Sequence, residues 1–450
     1  MTEGQLLGDT TDLLVNLIRN RCVNDGTPAS GEEVRNADLL RSYLEGVGLD
    51  MEDYEPLPGR GSLVARIEGS DPAAPTVCLM GHTDVVPVTP EGWSRDPFGG
   101  EVVDGEVWGR GAIDMLNLTA SMAVAVRHLA ATGFRPRGTL VYLAVADEEA
   151  GGDHGAGWLS DHAYDDIRAD YVLTESGGLV RDTPNGRLVT LTTGEKGIAW
   201  RRLRVRGTPG HGSMPLGADN ALVKAGAVVQ RLAAYRPDPR ITDTWRRYVA
   251  ALDVDEETAA ALVDPARVTD ACLAIADRRT AKLAHACTHM TFSPNVVHGG
   301  VKTNVIPDVV DIDVDIRVLP GDTPADVERH LAEAMGDLAP SVEVIVLQES
   351  APTSSPWDTD LRLAAERAMR RAYPHADLVP RMTAGGTDAR FFREKGAVAY
   401  GFGLFSERVS FEEFADRFHG HDERVDIESL GLTTRMWVDL LVDLLGPAAG

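Results

Sequence analysis

Two kinds of hydrophobic pattern alternate along the chain. In the first, short runs are apolar at nearly every position, at 76–80, 140–146 and 171–173. Strands without a polar face predict a sheet covered on both sides. Helical spacing surrounds them. Leu6, Leu13, Leu14, Leu17 and Ile18 predict an amphipathic helix over 6–20, and Val34, Leu39, Leu40, Tyr43 and Leu44 a second over 31–46. A strand at 62–67 and an Ala- and Val-rich helix at 119–129 complete this series.

The pattern changes near residue 195. At 198–205 Arg202 and Arg204, continued by Arg206, alternate with Leu203 and Val205; at 310–318 Val310, Ile312, Val314, Ile316 and Val318 share one face. Strict alternation predicts a sheet with one face open to solvent. Helices expected at 220–235 and 324–338, with strands at 288–292 and 342–347, give the order β-α-β-β-α-β, a split βαβ arrangement. The polar, mixed stretch 236–288 reads as a helical insertion. After Pro352 the first pattern returns, with a helix at 361–373, a strand at 397–401 and a last helix at 427–445. The expectation is an α/β domain formed by 1–194 and 352–450, its mostly parallel sheet flanked by helices. A smaller α+β, ferredoxin-like domain at 195–351 interrupts it.

Composition narrows the function. The 450 residues carry 43% hydrophobic and 25% charged side chains, ordinary for a globular protein with a substantial core. The net charge of −25, from 44 basic and 69 acidic residues, opposes binding to nucleic acid or to an anionic membrane face. Cys22, Cys78, Cys272 and Cys287 form no CxxC pair and are too few for a disulfide scaffold. No stretch has the length of a membrane span, and the N-terminus lacks a signal-peptide pattern, so the expected location is the cytoplasm.

Candidate chemistry gathers at the carboxyl ends of the apolar strands. His82, Glu148, Glu149 and Glu175 each follow such a strand within one to three residues. In open α/β sheets that edge is where ligands bind. Imidazole and carboxylate donors without thiolates suit zinc, cobalt or manganese in a catalytic site. Asp114 could bridge two such ions, and the adjacent Glu148 and Glu149 could divide metal binding from proton transfer. Ser213 has no nucleophile-elbow context, so a serine hydrolase is a poor reading.

Nine blocks occur in order: GHTDVVP, GRGAIDM, DEEAGG, TESGG, GHGSMP, KTNVIPD, DIRVLPG, GGTDAR and HGHDE. From about residue 10 to 445 the chain resembles the family of co-catalytic metallohydrolases that includes zinc aminoacylase, carboxypeptidase G, acetylornithine deacetylase and succinyl-diaminopimelate desuccinylase. The resemblance implies two Zn²⁺ ions, with Co²⁺ or Mn²⁺ as substitutes. His82, Asp114 and Glu175 would hold one, and Asp114, Glu149 and His419 the other. Asp84 would orient His82, and Glu148 would take a proton from a bridging water and pass it to the leaving amine. His211 would stabilise the oxyanion across a homodimer formed through the inserted domain, while Asn304, Arg317 and the backbone near Gly386 would bind substrate. The implied activity is hydrolysis of a C–N amide bond in a small N-acyl amino acid or dipeptide with a free carboxylate. A dedicated biosynthetic desuccinylase or deacetylase is the alternative enzyme, and a catalytically inactive metal-binding scaffold is the alternative of another class, opposed by the retention of Glu148. Leu116 stands near the bridging aspartate where the family often has Lys.

Overall fold

The structure, a computed structural model, describes residues 2–184 and 186–446. The chain forms two compact units. The first comprises Met1–Thr193, Ser355–Arg381 and Thr387–Gly450; the second comprises Gly194–Ser354 and Met382–Gly386.

The sheet of the first unit has a parallel centre. Its strands run in the order Asp50–Tyr54, Ser62–Ile67, Leu140–Val145, Val77–His82, Tyr171–Thr174, Val398–Gly401 and Gly186–Glu195. The four from Leu140–Val145 to Val398–Gly401 are mutually parallel, and the strands flanking them are antiparallel. Every residue of Val77–His82 and Leu140–Val145 is buried, which is why these runs carry no polar face. Helices Glu3–Arg19, Leu116–Ala131, Asp360–Ala372 and Ile427–Leu445 supply Leu14, Val124, Met369 and Trp437 to the core on one side. Ala156–His162 and Ala389–Glu394 supply Leu159 and Phe392 to a smaller core on the other. Small residues set the close contacts. A Cβ on Gly81 would lie 2.4 Å from Thr119 Oγ1, and one on Gly401 would lie 1.9 Å from Glu175 O. Close packing thus reaches the chain beside both His82 and Glu175.

The second unit is an antiparallel sheet in the order Thr291–Gly299, Val309–Val318, Gly197–Arg206 and Val342–Ser350. In chain order that is 2-3-1-4, the split βαβ topology. Ala221–Ala234 and Pro324–Met335 cover the face carrying Leu203, Val205, Ile312 and Ile316. Four helices, Asp243–Ala251, Glu256–Leu262, Val268–Ala274 and Arg278–Thr288, enclose a separate core of Trp245, Val249, Leu262, Val268 and Cys287.

Two local expectations are corrected. The strand expected at 288–292 begins at Thr291 and runs to Gly299. Thr288 instead ends the preceding helix, its hydroxyl donating to Ala284 O at 2.7 Å. Pro294 and a mostly exposed burial pattern hide this edge strand from a hydrophobicity reading. Residues 382–386, expected with the catalytic domain, belong to the second unit, where Met382 packs with Trp245 and Cys287. Among the described residues no helix is long and apolar enough to cross a membrane.

Candidate metal centre

His82 is the last residue of its strand, fixed from two sides. Its carbonyl accepts the Thr119 hydroxyl at 2.8 Å, and its Nδ1 lies 3.0 Å from Asp84 O. The ring thus turns Nε2 toward Asp114, with Nε2–Oδ1 3.3 Å. Asp114 precedes the buried helix Leu116–Ala131 through a cis Asp114–Met115 peptide. Its other oxygen, Oδ2, lies 2.9 Å from Nε2 of His419, which is also 3.4 Å from Glu149 Oε2. One carboxylate therefore stands between two imidazoles from opposite ends of the chain.

Donor atoms of His82, Asp114 and Glu175 all lie within 4.8 Å of one another, and so do those of Asp114, Glu149 and His419. Each triple could hold a metal ion, and they share Asp114. Glu148 belongs to neither; its Oε2 is 3.9 Å from His82 Nε2. His421, two residues from His419, is exposed and outside both triples.

The electrostatics describe a crowded acidic site. Burial, then the neighbouring Glu175 charge, pushes the Glu148 carboxyl well above its usual range. Burial and Asp114 do the same to Glu175, and more modestly to Glu149. Burial opposes the charged form of His419, yet hydrogen bonds to Asp114 and Glu149 lift it to about 10. Asp114 is held below its ordinary value despite burial, through hydrogen bonds to His419 and His82. Glu149 Oε1 is buried without a hydrogen-bond partner. Two imidazoles and three carboxylates, aimed at common points and short of donors, are a donor set that fits divalent cations such as zinc.

Apart from Asp84, the residues behind the donors escaped the sequence reading. Glu148–Ala150 is one turn of 3-10 helix entered through Asp147, whose φ of 71° is left-handed. A buried network holds that turn. Arg60 Nη1 lies 2.6 Å from Glu33 Oε1 and 3.5 Å from Asp147 Oδ1. Arg60 Nη2 donates to Asn24 Oδ1 at 3.1 Å, and Asn24 Nδ2 donates to Asp84 Oδ2 at 2.9 Å and to Asp147 Oδ1 at 3.2 Å. Asp84 Oδ2 also accepts the Glu149 N–H at 3.1 Å, so Asp84 anchors both His82 and the Glu149 backbone. On the other side, Glu423 and Arg110 form a buried pair, 2.6 Å apart. Burial pushes the Glu423 carboxyl up to about 7 even beside that cation. Arg110 and Glu423 lie inside GRGAIDM and HGHDE, the one signal that could have singled them out; Arg60 stands in no such block. Asp388, of GGTDAR, is buried near Glu148, with Oδ2 lacking a hydrogen-bond partner. Leu116 is buried, its side chain lying where a Cβ on Gly111 would touch it.

The remaining sequence candidates lie in the second unit. His211 is exposed on a two-residue strand paired with Val305–Ile306, and its Nδ1 accepts the Ser213 hydroxyl at 2.8 Å. Asn304 is its neighbour across that pairing, its carbonyl accepting the Gly212 N–H at 2.9 Å. Arg317 is on the half-open sheet face, its Nε 2.7 Å from Asp315 Oδ1 and its guanidinium 5.7 Å from the Trp200 ring centre. Gly386 is half-buried at the end of the segment 382–386.

Comparison with known proteins agrees with this fold. The chain is 26% identical over 435 residues to N-fatty-acyl-amino acid synthase/hydrolase of Xenopus tropicalis, covering 92% of this chain and 83% of that protein. It is 28% identical over 403 residues to aminoacylase-1 of Sus scrofa, covering 86% and 84%. The structure superposes on an M20 family metallo-carboxypeptidase of Sulfolobus solfataricus with a TM-score of 0.75 at 18% identity, covering 98% of this chain and 100% of that one. The model of peptidase family M20/M25/M40 matches residues 78–443, a span that takes in both donor triples, and the chain is a hydrolase belonging to that family.

Proposed function

We propose that the protein hydrolyses the C–N amide bond of a small N-acyl amino acid or dipeptide with a free carboxylate, using two divalent cations, zinc in the first instance. The observation that carries this reading is the shared carboxylate: Asp114 is common to two donor triples, and a further carboxyl, Glu148, stands beside them outside both. His82, Asp114 and Glu175 would hold one ion, and Asp114, Glu149 and His419 the other. Bound there, the cations supply Lewis acidity toward the amide carbonyl and lower the pKa of water.

The chain's own residues do the rest. Glu148 takes a proton from the attacking water at Oε2 and delivers it to the leaving nitrogen as the C–N bond breaks and the C–O bond forms. A carboxyl standing beside both donor triples, and outside them, is placed for both halves of that transfer. Asp84 holds the His82 ring and the Glu149 backbone in place. The planar fork of Arg317 would take the substrate carboxylate, exchanging it for Asp315. His211 and Asn304, adjacent across one pairing, would serve the oxyanion and the substrate, Gly386 would offer backbone contacts, and two copies would associate through the inserted unit. The similarity to aminoacylase-1 and to the N-fatty-acyl-amino acid enzyme supports an acylated amino acid as the substrate class.

Metal analysis together with a panel of N-acyl amino acids and dipeptides, assayed with zinc or cobalt, tests the reading. Turnover confined to an N-succinyl or N-acetyl biosynthetic substrate would replace it with a dedicated deacylase. Glu148→Gln should retain metal and lose roughly 10²–10⁴-fold in kcat. A metal-loaded Glu148→Gln enzyme with undiminished turnover would refute the assigned base.

A further inference from the structure

Asp114 and His419 are 305 positions apart in sequence, and their side chains meet at 2.9 Å. Neither segment is held there by the apolar core alone. His419 lies in a short loop between helix Phe411–Arg417 and strand Arg424–Asp426, with φ of 55° at both His419 and Asp422. Asp114 ends a turn-rich stretch that follows strand Glu106–Trp108. A buried pair, Glu423 and Arg110, ties the two segments together. Glu423 Oε1 accepts the N–H groups of Ile113 at 2.8 Å and of Asp114 at 3.2 Å. Its Oε2 accepts Arg110 Nη1 at 2.6 Å, and Arg110 Nη2 donates to the carbonyl of His419 at 3.3 Å. The Glu423 carbonyl accepts the Gly109 N–H at 2.9 Å, and the Arg110 guanidinium lies 5.4 Å from the centre of the Trp93 ring. Glu423 is fully buried and Arg110 nearly so.

We infer that Glu423, acting with Arg110, is a positioning residue that sets the Asp114 carboxylate against the His419 imidazole. The carboxylate contributes no donor to either triple. It acts through backbone: two N–H groups of the Asp114 turn on one oxygen, and the carbonyl of His419 through Arg110 on the other. A charge-assisted hydrogen bond is short and directional, which suits a link that must fix position to a fraction of an ångström. Burying a carboxylate and a guanidinium is costly, and a well-packed apolar pair would often stabilise the fold as well. What an apolar pair cannot do is bind the N–H groups of one ligand segment and the carbonyl of the other at once.

The inference rests on the reading of Asp114 and His419 as metal ligands, and its test separates the two. Zinc affinity of the full-length protein is measured by competition with a chromophoric chelator, alongside kcat and KM, for wild type, Glu423→Gln and Asp114→Asn. Glu423→Gln keeps an oxygen acceptor and removes the charge that grips Arg110. If it folds, zinc should bind on the order of 10–100-fold more weakly and kcat should fall with KM little changed, the usual cost of removing a partner that orients a ligand. Val107→Ala, a buried change in the adjoining strand, should lower the melting temperature without that loss of affinity, which a merely stabilising role for Glu423 would not predict. Should Glu423→Gln not fold, Arg110→Lys carries the same measurement, since a lysine keeps the ion pair and lacks the second nitrogen, Nη2, that reaches His419. A folded variant with wild-type zinc affinity overturns the inference while Asp114→Asn still loses zinc. Unaltered zinc binding in Asp114→Asn overturns the ligand reading itself.

Discussion

In the first unit Arg60, Glu33, Asn24, Asp84 and Asp147 are all buried and meet in one bonded network. The comparable pairs of the inserted unit, Arg202–Asp313 and Arg204–Asp311, lie across a sheet face that water reaches. The chemistry is the same, guanidinium against carboxylate; the surroundings differ. A buried charge is expensive and is tolerated when paired, even though Glu33 Oε2, Arg60 Nε and Asp84 Oδ1 here lack hydrogen-bond partners, whereas a half-exposed pair adds little to stability. The difference teaches where position matters. The buried charges of the first unit stand directly behind the turns that present His82, Glu148 and Glu149. The ladder of the second unit follows the register of its strands, Arg202 opposite Asp313 and Arg204 opposite Asp311, and organises a surface.

The sharpest way to break the comparison is to remove the buried cation. Arg60→Met would leave Glu33, Asp84 and Asp147 without a positive neighbour in that network. Removing one partner of a buried pair costs about 3–5 kcal/mol, so the metal-free variant should unfold at much lower urea than wild type. Changing Glu33 to Met as well should restore part of the loss. A loss under about 1 kcal/mol for Arg60→Met would mean that water reaches the network and that the contrast with the inserted sheet is false.

How much of this was legible in the sequence follows from the same contrast. The parallel strands were readable because both of their faces are buried, as the apolar runs at 76–80 and 140–146 show. The alternating strand Val309–Val318 was readable because one face is covered and the other is not. Gly186–Glu195, buried over most of its length, was not found, because Thr190, Thr192, Thr193 and Gly194 break the apolar signal. The edge strands Asp50–Tyr54 and Thr291–Gly299 were missed or misplaced for the opposite reason, since exposed edges tolerate charge and proline. His82, Glu149 and Glu175 stood out because histidines and acids at strand ends are chemically conspicuous, and Asp114 because it sits in a Gly-rich turn, whereas His419 was reached only through the family resemblance carried by HGHDE. Arg60, Glu33 and Asn24 did not, because a buried ion network has the composition of an ordinary surface loop.

A smaller effect distinguishes polar burial in the inserted unit. His289 is fully buried, its Nδ1 2.9 Å from Thr288 Oγ1 and its Nε2 2.8 Å from Thr269 Oγ1, and it stacks on His285 with ring centres 4.3 Å apart. Here the group is kept neutral: burial, then the neighbouring His285, lowers it from 6.5 to about 4. Below 6.5 the unfolded imidazole binds a proton that the folded one refuses until about 4, so acid favours unfolding across that window. Stability of the full chain should rise between those limits by on the order of 1–3 kcal/mol from this residue. Urea unfolding at several pH values should show a shallower slope for His289→Gln than for wild type. An equal slope would mean that His289 is charged in the fold, and the two units would then bury polar groups in the same way.

The smallest expected effect is on the ladder itself. Arg202 holds Asp313 through two bonds of 2.6 and 2.8 Å, and Arg204 holds Asp311 through two of 2.8 and 2.9 Å. Such forks are geometrically ideal, yet side chains about a third exposed on the arginine side are open to counterions. A double-mutant cycle between Arg202→Ala and Asp313→Ala should give a coupling several-fold below that of the Arg60–Glu33 cycle. It should also decline with salt, because the screening length falls from about 8 Å at physiological ionic strength to about 3 Å at 1 M. The Arg60–Glu33 coupling should hold over the same range, since ions cannot enter between buried partners. Equal salt sensitivity in the two cycles would remove the ground for treating one network as a positioning device and the other as a surface. A ladder coupling that survived about 1 M salt would instead mark that sheet face as one shielded from water.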